Sequence, residues 1–351
     1  MSTENLHTNC TDTSYVPQAF RRGRGAVSNR SSRFERKQFV RNYNEENSNR
    51  VRASQTEIVE ESARSILNRN KSPDVPFEQS LNVFRGCAHG CIYCYARPAH
   101  TYMGLSAGLD FERIIYTKKN AAELLEAEIT KPTYVQKPIA IGTNTDPYQP
   151  LEKEVKLTRS VLKVLNKYNH PVSILTKSKL IVRDIDILEE LAFKKLVKVS
   201  LSVTSLDPKL SRVMEPRASS PQRRLDAIRL LSGKGISTGA MIAPVIPAIN
   251  DHEIENILKA VSHAGAARVG YIPVRLPAEV QELFEEWLAE NFPNRKDRVL
   301  NRIRGTRGGR LNDPRFGHRM KGSGIEAKLL SMRFHHMAKR LGLNCNSSDL
   351  I

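Results

Sequence analysis

The chain lacks the sequence features that mark secreted and membrane-spanning proteins. Its 351 residues include only five cysteines and one tryptophan. No apolar run opens the chain, so we expect no secretory signal peptide. No stretch approaches the roughly 18 uncharged apolar residues of a membrane helix, and the longest apolar segment, 236–249, contains prolines. We therefore predict a cytoplasmic protein with no membrane partner.

Acidic residues are scarce relative to basic ones, and the imbalance is local. The formal net charge is +18, and residues 294–340 contain 14 Lys and Arg against three Asp and Glu. Phenylalanine and histidine lie among the arginines, which suits phosphate binding and base stacking. We predict that 294–340 binds nucleic acid, with Arg302, Arg304, Arg307 and Arg310 contacting phosphates. A solvated basic surface and a site for an acidic protein are the alternatives.

The composition divides the chain into three regions. Residues 1–70 are polar, contain "RRGRG" and show no sustained apolar period, so we predict a largely disordered segment. Residues 71–290 are predicted to form the core domain. Residues 291–351 are predicted to form a basic, helical C-terminal extension, ending in the helix "GIEAKLLSMRFHHMAKRLGL".

Short apolar runs alternate with helical patterns through the core region. Six runs are predicted to be buried strands: "SLNVF", "PIAIG", "PVSIL", "VKVSLSV", "STGAMIA" and "ARVGYIPV". Stretches with helical periodicity, such as 152–168, separate them. This alternation predicts parallel βαβ units and an α/β fold, either an open sheet or a barrel. Polar residues follow each strand, where parallel folds build their sites.

Three cysteines lie close together after the first predicted strand. Cys87, Cys91 and Cys94 have the spacing C-x₃-C-x₂-C, whereas Cys10 and Cys345 are distant. Clustered thiols in a reducing compartment indicate a metal site rather than disulfides. One possibility is zinc, with His89 or His100 as the fourth ligand. The other is an iron–sulfur cluster with one iron left open.

This motif, with Tyr93 before the third cysteine, resembles that of the radical SAM superfamily. The run "CYARPAHTYMGLSAGLDFE" is similar to spore photoproduct lyase-like proteins, and the resemblance covers about residues 80–275. It implies a partial (β/α)₆ TIM-like barrel and a 4Fe–4S cluster on Cys87, Cys91 and Cys94. It further implies S-adenosylmethionine (SAM) on the open iron, cleaved to a 5′-deoxyadenosyl radical by an electron from a cellular one-electron donor.

The polar residues after the later strands are candidate SAM contacts. Those after the second strand would meet the methionyl ammonium, Lys177 the carboxylate, and two hydroxyls on the fourth strand the ribose. Residues 243–247 would line the adenine, and Arg217 and Arg275 are candidates for SAM or an anionic substrate. The predicted cofactor-binding residues are Thr143, Asn144, Asp146, Lys177, Ser202 and Thr204. An ordinary turn at Asp146-Pro147 is the alternative for that carboxylate.

The favoured function is a radical SAM enzyme acting on nucleic acid, as a DNA-repair-like lyase or in RNA modification. A radical SAM enzyme acting on a protein or peptide is one alternative. A non-enzymatic nucleic-acid-binding protein with a structural metal site is the other. The resemblance is incomplete, since spore photoproduct lyases return a hydrogen atom from a cysteine near the second strand. This chain has no cysteine between Cys94 and Cys345, so thymine-dimer repair itself is not expected.

Overall fold

The computed structural model describes residues 14–18, 21–35 and 55–345. Ten strands occur in this part of the chain. They are β1 (Glu57–Glu61), β2 (Leu67–Arg69), β3 (Gln79–Leu81), β4 (Phe84–Arg85), β5 (Ile114–Lys118), β6 (Ile139–Ile141), β7 (Val172–Thr176), β8 (Val197–Ser202), β9 (Ser237–Val245) and β10 (Arg268–Pro273).

Eleven α-helices occur in the same described residues. They are α1 (Leu109–Arg113), α2 (Ala121–Ile129), α3 (Glu152–Val155), α4 (Leu157–Lys167), α5 (Ile185–Phe193), α6 (Pro208–Met214), α7 (Pro221–Gly233), α8 (Ile254–His263), α9 (Val280–Asn291), α10 (Lys296–Thr306) and α11 (Gly324–Arg340). The helical pattern at 152–168 forms two helices rather than one, because Lys156 adopts a left-handed φ of 52° between them.

The larger sheet confirms the predicted α/β fold and its six strands. Its order is β10-β9-β8-β7-β6-β3-β2, and all neighbours are parallel except β2, which runs antiparallel to β3 at one edge. The order has two ends, so the sheet is open. A smaller sheet has the order β1-β5-β4. The loops after β3 and β6 to β10 leave the large sheet at one edge, because these strands are parallel.

The central strands β7 and β8 are buried on one face and only partly buried on the other. Ile139, Ile141, Ile174, Val199 and Leu201 form the core with side chains from the surrounding helices. Short apolar runs bounded by polar residues are typical of buried strands, which is why these segments were recognisable in the sequence. The sheet therefore gives the loops at its carboxyl edge a rigid base.

The expectation of disorder before residue 70 does not hold for the described residues there. Several side chains of residues 21–35 are buried. Strand β1 belongs to the smaller sheet and β2 to the larger one. The buried Arg21 forms an ion pair with the partly exposed Glu290, 2.7 Å away. Such contacts join charged residues that are far apart in the chain. The sequence of the segment therefore shows no apolar periodicity that would predict its order. Residues 1–13, 19–20 and 36–54 lie outside the described residues, and the three-region division stays a prediction.

The predicted basic C-terminal helix is present as α11 and is integrated with the rest of the molecule. Val299 and Ile303 of α10 share an apolar core with Trp287 of α9. On α11, Phe334 lies with its ring centroid 4.5 Å from that of Tyr271 on β10. No helix among the described residues is long and apolar enough to cross a membrane.

Candidate functional site

The three clustered cysteines lie in the loop between β4 and α1, residues 86–108. Cys87, Cys91 and Cys94 are free thiols, the first two buried and the third partly buried. The amide of Gly90 donates to the Cys87 carbonyl and that of Cys94 to the Cys91 carbonyl, at 3.3 and 3.2 Å. Gly90 adopts a φ of 68°, which favours glycine and makes the turn between the first two cysteines.

Their surroundings fit an iron–sulfur cluster. Burial raises the pKa of Cys87 to about 12 and that of Cys91 well above its ordinary value, and negative charge on the neighbouring thiols adds to both shifts. Thiolates held together in this way need a strong positive charge beside them, which a bound metal centre supplies. Three thiolates with no fourth protein ligand suit a cluster in which each binds a different iron atom.

The zinc alternative finds no support in the positions of the two histidines. His89 faces Asp146, with Nδ1 3.3 Å from Oδ2, and Nε2 of His100 lies 3.0 Å from the Ile114 carbonyl oxygen. Across the described ranges, no three His, Cys, Asp or Glu side chains form a group that could hold a single metal ion.

The segment after β6, residues 142–149, directly supports the cysteine loop. The Gln149 side-chain oxygen accepts a hydrogen bond from the Ala88 amide at 2.8 Å, and the Thr145 hydroxyl donates to the Gly86 carbonyl at 2.6 Å. Gln149 is fully buried. Two segments that the sequence analysis placed at one edge of the sheet are therefore in contact.

Asp146 is fully engaged by protein groups. Its Oδ1 accepts from the Thr176 hydroxyl at 2.6 Å and the Tyr148 amide at 2.9 Å, and its Oδ2 accepts from the Lys177 amide at 2.7 Å. Burial alone would raise the pKa of this carboxyl, but nearby His89 and the hydrogen bonds outweigh it and lower the pKa to about 2. These contacts favour the turn interpretation.

The other two candidates after β6 differ from Asp146. The Thr143 hydroxyl is hydrogen-bonded to Asn82, whose side-chain amide donates to it at 3.0 Å. The Asn144 side chain is exposed and makes no hydrogen bond with any described residue. Asn144 is therefore the predicted ammonium contact whose donor and acceptor groups remain available.

Lys177 lies beside the cysteines, as predicted. Its Nζ is 5.8 Å from the centroid of the Tyr93 ring. Burial would lower the pKa of this ammonium, but negative charge on Cys91 and on Glu215 outweighs it, so the pKa is raised. Lys177 therefore presents a charged ammonium near the sulfur of Cys91, where a ligand carboxylate could bind.

Beneath Lys177 lies a buried ionic network that the sequence analysis missed. Glu215 forms an ion pair with Arg224 and accepts hydrogen bonds from the hydroxyls of Tyr93 and Thr204. Burial would raise the pKa of Glu215, but the positive charges of Arg224 and Lys177 outweigh it and lower the pKa. Glu215 follows α6 and Arg224 lies within α7, and no local signal in the sequence distinguishes them from ordinary surface charges.

The two predicted ribose contacts both have protein partners. The Ser202 hydroxyl donates to the Ala243 carbonyl at 3.2 Å, and the Thr204 hydroxyl donates to Glu215 at 2.8 Å. Thr204 is fully buried and Ser202 nearly so. The structure thus places both at the predicted edge, where they connect β8 to β9 and to the Glu215 network.

A cation and an aromatic ring lie together beside the third cysteine. The guanidinium of Arg275, which follows β10, lies 4.9 Å from the Tyr95 ring centroid. The Tyr95 hydroxyl donates to the Thr143 carbonyl, and 46% of the residue is exposed. Arg275 makes no hydrogen bond or ion pair with the residues that the structure describes. Burial is the main cause that lowers its pKa.

Sequence comparisons connect this arrangement to known proteins. A family model described as the Radical SAM superfamily matches residues 81–261. An uncharacterized protein of Mycobacterium tuberculosis is 35% identical over 229 residues, which are 64% of this chain and 67% of that protein. An uncharacterized protein of Methanocaldococcus jannaschii is 29% identical over 251 residues, 71% of this chain and 89% of that protein.

Solved structures with a similar fold include forms of spore photoproduct lyase. One variant of that enzyme gives a TM-score of 0.57 at 16% sequence identity, over 87% of this chain and 85% of its own. Another, with bound AdoMet and dinucleoside spore photoproduct, gives a TM-score of 0.55 at 16% identity, over 82% and 80% of the two chains. At 16% sequence identity, these similarities show a shared fold and nothing further about function.

Proposed function

Because the chain belongs to the radical SAM superfamily, we propose that it is an enzyme that directs the radical chemistry of this family at a nucleic acid. The family's cofactors are a 4Fe–4S cluster and SAM, and Cys87, Cys91 and Cys94 are the cluster's motif cysteines. When bound, these cofactors supply a 5′-deoxyadenosyl radical that takes a hydrogen atom from the substrate. The alternative of a non-enzymatic protein with a structural metal site is wrong, because the family is one of enzymes.

The chain's own residues bind and shield the cofactors. In our proposal the six parallel strands form the partial (β/α)₆ barrel of the family. Lys177 receives the methionyl carboxylate, and Asn144 contacts the ammonium. Thr143, Asp146, Ser202 and Thr204 fix the surrounding loops through hydrogen bonds within the protein. A cellular one-electron donor is the expected partner.

The observation that carries the nucleic-acid proposal is a row of cations and exposed rings beside the third cysteine. Arg275 lies over Tyr95, and Arg319 lies over Phe316, 4.8 Å from its ring centroid. Arg319 is paired with Asp74, so within the described residues Arg275 is the arginine of the two whose charge is free to meet a ligand. Arg275 has no acidic hydrogen-bonding partner among the described residues, which suits an anionic ligand. Such a row suits a phosphate backbone and stacked bases.

The basic segment 294–340 extends this surface, although only part of its charge is free. Arg302 and Arg333 are in ion pairs with Asp251 and Glu255 respectively, and Arg307 is buried. Other basic side chains are exposed and form no ion pair within the described residues: Arg295, Arg298, Arg310, Lys321, Lys328, Lys339 and Arg340. We propose that these, rather than Arg302 and Arg307, contact phosphates.

Repair of the spore photoproduct is not part of the proposal. The described rim after β6 contains Thr143, Asn144 and Asp146, and no cysteine that could return a hydrogen atom to a product radical. Repair of a different DNA lesion and modification of RNA both remain within the proposal. A protein or peptide substrate is the competing class.

The test is binding of oligonucleotides to anaerobically reconstituted protein, with Arg275→Gln compared with wild type. A lost charge-assisted contact should weaken binding about ten- to a hundredfold. The control is Arg229→Gln, an exposed arginine on α7 that is paired with Asp226. SAM cleavage without substrate should be similar in all three proteins. Equal affinities in all three would contradict the proposal, and binding of acidic peptides instead would favour the protein-substrate class.

A further inference from the structure

The cysteine loop depends on a buried arginine that is not a ligand. Arg97 is completely buried. Its Nε donates to the Cys91 carbonyl at 3.0 Å, and its Nη2 donates to the Gly90 carbonyl at 3.3 Å. Its Nη1 reaches the carbonyls of Ala107 and Gly108, both at 3.0 Å. One guanidinium therefore joins the turn between the cysteines to the far end of the same loop.

Glu112 neutralises this arginine and joins it to a remote part of the chain. Its carboxylate is also fully buried, and Oε1 lies 2.5 Å from the Arg97 guanidinium. The same oxygen accepts from the Ala26 amide, and Oε2 accepts from the Gly25 amide, both at 2.9 Å. The Arg24 guanidinium donates to the Glu112 carbonyl at 2.5 Å. A buried carboxylate with this many donors holds its neighbours in one geometry.

Gly25 lies directly against the turn between Cys87 and Cys91. A Cβ atom at residue 25 would stand 2.0 Å from the Gly90 carbonyl oxygen, so no larger residue fits without displacing backbone. The φ of Gly25 is not in the left-handed region, so close approach, rather than conformational freedom, explains the glycine.

The same N-terminal segment is attached to α9 on its other side. Arg21 pairs with Glu290 at 2.7 Å and Arg30 with Glu286 at 2.8 Å. The Ser28 hydroxyl donates to Glu286 at 2.6 Å. Residues 21–30 are therefore held between an acidic face of α9 and the cysteine loop.

We propose that residues 21–30, together with Arg97 and Glu112, form a brace that keeps the cysteine loop in the conformation that retains the cluster. Arg97 and Glu112 are positioning residues, since neither contributes a ligand. The proposal rests on the cluster of the family and not on the nucleic-acid substrate. Oligonucleotide binding by the same variants therefore reports separately on the proposed function.

The test compares Gly25→Ala with Gly233→Ala in the full chain. Gly233 ends α7 and has open space around its Cβ position, so it is a matched control. Reconstituted proteins are challenged anaerobically with the chelator ferrozine, and iron release is followed. Gly25→Ala should release iron about tenfold faster than wild type, because the loop opens locally more easily once buried hydrogen bonds are lost. Gly233→Ala should behave as wild type.

A second variant and a second readout separate positioning from general instability. Glu112→Gln keeps the side-chain shape but turns an amide NH₂ toward a donor, so it should also release iron faster. Circular dichroism of the iron-free proteins should show that both variants are folded. If Gly25→Ala does not fold, the double variant Arg21→Ala/Arg30→Ala takes its place, since it removes both ion pairs between the brace and α9. Iron release at the wild-type rate in the folded variants would overturn the proposal.

Discussion

Cys87, Cys91 and Cys94 differ from Cys345 in their surroundings rather than in their chemistry. The three motif cysteines lie in or at the edge of a buried region, and negative charge on their neighbours helps to raise the pKa of Cys87 and Cys91, whereas Cys345 is exposed near the end of the described chain. Cys10 lies outside the described residues. Proximity of this kind turns ordinary thiols into a ligand set, because a bound cluster relieves the repulsion between their thiolates.

Cys91→Ala should abolish the cluster or its SAM chemistry, because each motif cysteine provides the sole protein ligand of one iron. Iron and sulfide content after anaerobic reconstitution, followed by 5′-deoxyadenosine production with dithionite, measures both. Cys345→Ala is the control and should match wild type. Normal iron content and SAM cleavage in Cys91→Ala would contradict the assignment.

Substitutions of Asp146 and Asn144 should have different effects, the first on the stability of the fold and the second on cofactor binding. Asp146→Ala leaves buried donors of Thr176, Tyr148 and Lys177 without an acceptor, so the free energy of unfolding should fall by about 2–3 kcal/mol. The pKa of Asp146 is lowered to about 2 in the fold. Its stabilising effect is therefore present above about pH 4 and is lost as the pH falls toward 2.

Asn144→Ala should leave unfolding unchanged, since its side chain is exposed. If it contacts the methionyl ammonium, the affinity for SAM should fall about tenfold. Denaturant unfolding and equilibrium SAM binding distinguish the two variants. An unchanged SAM affinity in Asn144→Ala would remove Asn144 from the site.

At the scale of elements, α10 and the loop after it combine structural and exposed arginines within a few residues. The Arg307 guanidinium donates to the carbonyls of Pro273 and Val274 at the end of β10. It also donates to the carbonyls of His318 and Arg319, so it joins the strand end to the loop that carries Arg319. Arg310, three residues later, is exposed.

Arg307→Ala should therefore destabilise the fold by about 3 kcal/mol, because it leaves buried carbonyls without donors. Arg310→Ala should change the free energy of unfolding by no more than about 0.5 kcal/mol. Urea unfolding of the two variants measures the difference. Equal stability of both would show that the Arg307 contacts contribute little.

Over the whole molecule, the excess of positive charge is divided between ion pairs that hold the fold and cations that face solvent. The N-terminal arginines Arg21 and Arg30 pair with α9, and Arg319 pairs with Asp74, 2.5 Å away. The net charge is therefore larger than the positive charge that a polyanion can contact. A test of nucleic-acid binding has to substitute the exposed cations.

Replacing Arg295, Arg298, Arg310 and Lys321 by Ala should weaken binding of oligonucleotides across all sequences. Neutralising about four phosphates gives a log–log salt slope near −3 to −4 for a duplex, and the variant should flatten it. The control replaces four exposed cations elsewhere: Lys209, Arg223, Arg229 and Lys234. Binding of the first variant like wild type at every salt concentration would exclude these residues as the nucleic-acid surface.

Local patterns in the sequence were enough to predict the α/β fold and the metal site. The six parallel strands each pack a row of apolar side chains against the core, so each reads as a short apolar run without knowledge of its neighbours. The cysteine motif is equally local, because its three ligands lie within eight residues. Lys177 was expected near the cysteines because the carboxyl ends of parallel strands meet at the same edge of a sheet, and both segments follow such strands.

The tertiary structure alone decided which charged residues support the site. Glu112 meets Gly25, Glu215 meets Tyr93, and Arg307 meets Val274. The members of these pairs are separated by between 33 and 122 residues. The sequence does not show whether a charged residue is exposed or forms a buried ion pair. Burial arises only when distant segments pack together and exclude water from the charged groups. For the same reason, the ordered contacts of residues 21–35 left no signal that an apolar period could reveal.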